Sequence, residues 1–147
     1  MAHRFMYDKS VVPAVVPTAG AVAAITAAVV DGTGWDEANF VLITGAANTA
    51  ATLDAKVQES ASSGGSYADH ANATSITQLL AASGASKCVV ISMKINKAKP
   101  FMKIVGTVGT ETFANGAVCI LTQGSRQNPM SSTALATAGC KEVVEVV

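Results

Sequence analysis

The strictest pattern in the chain is the alternation from Lys87 to Asn96. Val89, Ile91, Met93 and Ile95 fall on one side of an extended backbone, and Val90, Ser92, Lys94 and Asn96 on the other. A period of two builds a strand with one face in a core and one facing water, whereas a helix would scatter the same residues around its axis. Leu53 to Gln58 repeats the pattern, with Leu53, Ala55 and Val57 alternating with Asp54, Lys56 and Gln58. It runs into Ser62-Ser63-Gly64-Gly65-Ser66, a turn composition, before the chain resumes at Tyr67. This predicts half of an antiparallel hairpin, or a connection that crosses between sheets.

The remaining segments extend the same reading. Residues 1–17 read as an N-terminal arm. Within it, Phe5, Met6 and Tyr7 either tuck onto their own domain or reach a neighbour, and Val11 to Val16, interrupted by Pro13 and closed by Pro17, is an edge strand or an extended lead-in. The run Gly20 to Val30 has the alanine content of a helix. It has no charged residue for a solvated helix face, and Asp31-Gly32-Thr33-Gly34 turns the chain at once, so a strand is expected. Further strands are expected at Asn39 to Thr44, Phe101 to Val108 and Ala117 to Thr122, with a turn at Lys97-Ala98-Lys99-Pro100. Ile76, Leu79 and Leu80 fit one helical turn or a packed loop. From Gln123 the composition is loop-like until Glu142 to Val147, a final strand or pairing arm, so residues 123–147 either cross the domain or lie against a neighbouring molecule. No internal repeat or domain boundary interrupts residues 1–147. The expected architecture is all-β: a single-domain β-sandwich of jelly-roll or Greek-key type with about eight short strands.

Composition narrows function more than it names it. Charged residues make up 14% of the chain and cancel to zero net charge, against roughly 25% in ordinary soluble domains. Such a surface lacks the clustered cations of a nucleic-acid binder and favours association with protein. Gly20 to Val30 is too short to span a bilayer, so no membrane is expected, and with no export signal synthesis in a reducing cytoplasm is expected. Cys88, Cys119 and Cys140 have no CxxC spacing, and the expectation is that they serve as small buried hydrophobes, with a disulfide or a metal site as the alternative.

No catalytic, metal or cofactor site is expected from the residue types and their spacing. His70 follows Asp69, but acid–base catalysis on a nucleophile needs a third group held against the ring, so a solvated loop histidine is expected. The scattered carboxylates show no calcium-loop spacing. Trp35 reads as a plug at one end of the core, with a sugar-stacking platform as the sharper alternative. Lys94, Lys97, Lys99 and Lys103 read either as protection of an exposed strand edge or as a docking patch for an acidic partner.

Lys56-Val57-Gln58-Glu59-Ser60, followed by the Ser/Gly turn and Tyr67, resembles a family of small virion proteins of tailed bacteriophages. Trp35 to Phe40, the later Lys97 to Val105 and Arg126 to Pro129 extend the resemblance over roughly residues 20–130, although Lys-Ala-Lys-Pro-Phe replaces the family's usual Gly-x-Lys-Arg-Tyr and an insert lies at Ala68 to Ser86. The resemblance implies a non-enzymatic decoration or cement protein of the capsid, without cofactors, assembled in the host cytoplasm and carried on the virion. Its partners would be the major capsid protein and copies of itself as a homo-oligomer. The residues of this chain that would dock on them are Phe5 and Tyr7 of the arm, Lys97 and Lys99 of the basic turn, and Arg126 of the late loop. A head–tail connector or tail component is the nearer alternative, and a carbohydrate-binding β-sandwich module the more distant one.

Overall fold

The computed structural model describes residues 9–25, 27–71, 76 and 78–122. Its strands are β1 (Lys9–Thr18), β2 (Val30–Asp31), β3 (Glu37–Ala47), β4 (Thr52–Ser60), β5 (Ala68–Asp69), β6 (Leu79–Leu80), β7 (Cys88–Lys94), β8 (Phe101–Gly109) and β9 (Phe113–Thr122), with one helical turn, α1 (Ala81–Gly84). They form two antiparallel sheets. One has the order β1-β9-β3-β7; the other has β2-β8-β4-β5, with β6 also pairing β4.

Period-two alternation decides which side of each strand is inside. Leu53, Ala55 and Val57 of β4 are buried, as are Phe40 and Leu42 of β3, Ile91 and Met93 of β7, Met102 and Ile104 of β8, and Cys119 and Leu121 of β9. These residues from both sheets belong to one contiguous core, which Trp35 joins with 9% of its surface exposed. A ring buried this far works as a core plug and presents no open face for stacking on a sugar.

Several expectations need correction. Val11 to Val16 is an edge strand, and the strand extends to Lys9–Thr18 and pairs with β9, so residues 9–17 belong to a sheet and not to an arm. Pro13 and Pro17 are tolerated there because an edge strand needs ladder donors on one side only. The described residues of Gly20 to Val30 form no regular strand before β2. Its small residues stitch the sheets together instead. Ala28 N–H donates to Ala14 O (2.8 Å) on β1, while Ile25 N–H donates to Gly106 O (3.0 Å) and Val108 N–H to Ala23 O (2.9 Å) on β8. Leu79 and Leu80 pair with β4, and the single helical turn follows them.

The turn at residues 95–100 is also not a hairpin within one sheet. β7 pairs with β3, whereas β8 pairs with β4 and β2, so this turn carries the chain from one sheet to the other. Lys94 and Lys103 therefore lie on different sheets and cannot share an edge. The Ser/Gly turn after β4 does close a hairpin, pairing Gln58 with Asp69 and Glu59 with Ala68.

Candidate functional site

The outer faces of the two sheets differ in chemistry. On the β4–β8 face, Asp54, Lys56 and Gln58 stand opposite Thr107, Val105 and Lys103. Their polar groups are matched locally. Lys56 Nζ lies 2.7 Å from Asp69 Oδ2, Gln58 Nε2 donates to Asp69 Oδ1 (2.9 Å), Gln78 Nε2 donates to Asp54 Oδ2 (2.9 Å), and Lys103 Nζ sits 4.2 Å from the centre of the Tyr67 ring. The hydrogen bond from Lys56, and then that from Gln58, hold the Asp69 carboxyl below its ordinary range.

The other outer face is apolar across its middle. The register aligns Pro13, Val118, Val41 and Val90 in one row across all four strands. Val11 and Ile120 flank that row on one side, and Ile43 and Cys88 on the other. Val90 and Ile43 are each 54% exposed. On the Val11–Ile120 side the face turns polar over β3 and β7. There that same row continues to Asn39 and Ser92, whose Oγ donates to Asn39 Oδ1 (2.6 Å), and Glu37 pairs with Lys94 in the row beyond.

This face ends at an open strand. Of the four sheet edges, the stitching segment before β2 covers those at β1 and β8. β5 and β6 cover the edge of β4, helped by Ile76 N–H donating to Ala55 O (3.0 Å) and His70 N–H to Val57 O (3.3 Å). β7 has β3 on one side and no strand on the other among the described residues. Thr44 N–H donates to Lys87 O (2.9 Å) and Ile95 N–H to Asp36 O (2.8 Å), so the odd-numbered residues of β7 turn their backbone groups toward β3. Cys88, Val90 and Ser92 turn theirs to the open side, where no partner is found among the described residues.

His70 marks one end of this edge. Its Nε2 lies 3.2 Å from the Lys94 carbonyl oxygen and 3.5 Å from Glu59 Oε2. Both His70 and Glu59 are buried, so the loop histidine expected in solvent is instead part of the packing. The reversal has a simple cause: successive side chains of an extended segment point to opposite sides. Asp69 faces out to Lys56, and His70 consequently faces in. Glu59 Oε1 accepts from Asn96 Nδ2 (3.2 Å) and lies 3.4 Å from Lys99 Nζ. Its Oε2 accepts no hydrogen bond among the described residues. A cleft of about 450 Å³ opens beside this group, lined by residues that include Ser92, Lys94 and Asn96. The Ser92 hydroxyl is bonded to Asn39 on the outer face, so this arrangement does not present it to the imidazole.

The expected docking residues divide accordingly. Phe5, Tyr7 and Arg126 lie outside the described residues. Lys97 Nζ is committed to Asp36 Oδ1 and to the Trp35 carbonyl (2.5 Å), and Lys99 to Glu59. Both side chains remain exposed beside these partners. Lys94 does lie on an edge strand, as one of the two sequence expectations had it, but nothing in the sequence says which side of β7 stays open.

The cysteines also separate. Cys119 is buried, and burial raises its thiol to about 12, whereas Cys88 is exposed contrary to expectation. Cys140 lies outside the described residues. In native protein at mildly alkaline pH, a maleimide should modify Cys88 rapidly and Cys119 only after denaturation, as read by peptide mass mapping. Equal labelling of both would contradict the packing of β9. Because the folded thiol holds its proton above the unfolded value of 9.0, its contribution to stability is complete below that value and is lost as pH rises toward about 12.

Among the described residues no cluster of metal ligands occurs, and no helix is long and apolar enough to cross a membrane. No family model matches the chain, and no curated protein matches it.

Proposed function

We propose that this protein is a non-enzymatic structural component of a bacteriophage virion. In this reading it decorates the head shell and cements contacts between major capsid subunits, with a β-sandwich of jelly-roll or Greek-key type as the rigid body. The observation that carries the reading is the open β7 edge bordered by the apolar Val118-Val41-Val90 row, on a chain of zero net charge. An apolar sheet face that ends in unpaired backbone is suited to docking on protein. The resemblance around Lys56 to Ser60 and Tyr67 supplies the setting, and virion localisation follows from it. Many modest contacts, repeated by the symmetry of a shell, add to a large total.

Imaging of labelled protein on particles should show occupancy across the shell, and particles stripped of it should lose their shells at a lower temperature. Label confined to one vertex or to the tail would instead favour a connector or tail role. Unchanged thermal stability after stripping would remove the cementing role.

A further inference from the structure

We propose that β7 pairs antiparallel with β7 of a second copy about a two-fold axis at Val90. The proposal deepens the reading above by naming one partner of the open edge, and it uses that same surface. The outward backbone groups at Cys88, Val90 and Ser92 recur every second residue, so the edge is self-complementary. A two-fold axis at Val90 sets Val90 opposite Val90 of the second copy, and Cys88 opposite Ser92. In a hydrogen-bonded antiparallel pair, each residue exchanges both its N–H and its C=O with its opposite number. All the open groups at these three positions are then satisfied.

Three observations favour a second copy as the occupant. First, the register makes the apolar row continuous, running Val118-Val41-Val90 in one copy and Val90-Val41-Val118 in the next. β-branched residues directly opposite one another are favourable cross-strand pairs. Second, the Lys94 side chains fall at opposite ends of the new ladder, so no like charges face each other across it. Third, His70 already lies against the Lys94 carbonyl, leaving Cys88 to Ser92 as the stretch that needs a partner. The β1 edge could not serve in the same way, since it carries Pro13 and Pro17 and is bonded to the segment at Ala27 and Ala28. The product is an eight-stranded sheet that presents one enlarged apolar face.

The test uses the full chain. Analytical ultracentrifugation should give twice the chain mass at high concentration and dissociation on dilution. Val90→Pro removes an N–H that points away from β3, so it should leave the fold and its Trp35 fluorescence intact while yielding monomer at every concentration. Ser92→Cys checks the register independently of that variant. Air oxidation should link its new thiol to Cys88 of the other copy, giving a dimer band on a non-reducing gel that peptide mapping assigns to those two positions. Wild-type protein that remains monomeric throughout, or a dimer that Val90→Pro leaves unchanged while Ser92→Cys does not cross-link at these positions, overturns the pairing. Capture of the edge by a strand of another protein, with no self-association, also overturns it. A monomer that still coats shells sinks this pairing alone, and a dimer that never binds shells sinks the virion reading alone.

Discussion

Phe40→Ala is expected to lower the free energy of unfolding by about 3–5 kcal/mol, the range for removing a fully buried aromatic ring from a core. Phe40 lies in β3 at zero exposure, with Ile91 of β7 and Cys119 of β9 on either side in register. The loss combines the transfer of apolar atoms from water with the cavity left behind, and two flanking ladders hold the backbone so that the cavity cannot simply close. The urea midpoint should fall with little change in slope. Since β3 shares its core with the opposite sheet, Trp35 fluorescence and the far-ultraviolet circular dichroism should shift together. A change below about 1 kcal/mol, well under the ordinary range for such a truncation, or separate transitions for the two signals, would contradict a single shared core.

The second large effect is expected at Gly20, for a different reason. Its φ of +67° lies in the left-handed region, and an added Cβ would stand 1.7 Å from the carbonyl oxygen of Phe113. That carbonyl is not free to retreat, because Phe113 begins β9 and its N–H donates to Gly20 O (2.9 Å). The conformation alone costs a residue with a Cβ about 1–2 kcal/mol, and the collision adds to it. Gly20→Ala should therefore destabilise by roughly 2 kcal/mol or more, measured by the same urea titration. Gly106→Ala separates the two contributions, since Gly106 has no left-handed φ yet its added Cβ would meet Asp54 O at 1.9 Å. Near-neutral behaviour of Gly20→Ala would mean that the segment before β2 is not held against β9 as described.

Together these substitutions probe the two ways in which the molecule closes. Phe40 tests the filling between the sheets. Gly20 tests the close backbone approach that lets an apolar, small-residue segment seal a pair of edges instead of forming a strand. The run Gly20 to Val30 was misread for this reason. Its small residues allow easy close packing, but whether such a run pairs as a strand or stitches two others depends on backbone groups elsewhere in the fold at Ala14, Gly106 and Val108.

His70 and the lysines show the same limit. Asp69 and His70 are adjacent in sequence and opposite in space, one paired with Lys56 on the outer face and the other buried against Glu59. Lys97 and Lys99 look like a surface patch when the turn is drawn as a hairpin. Once the turn crosses between sheets, they reach Asp36 and Glu59.

What the sequence determined by itself was the identity of the strand faces. The alternations at Leu53 to Gln58 and Lys87 to Asn96 assign Leu53, Ala55, Val57, Ile91 and Met93 to the core, because the side-chain period of an extended chain is a local property of the backbone. Only the tertiary structure decided which strand would stand at an open edge and which outer face would be apolar. Those features depend on which strands become neighbours. That choice is made by long-range pairing, and it leaves no mark on the periodicity of β7 itself.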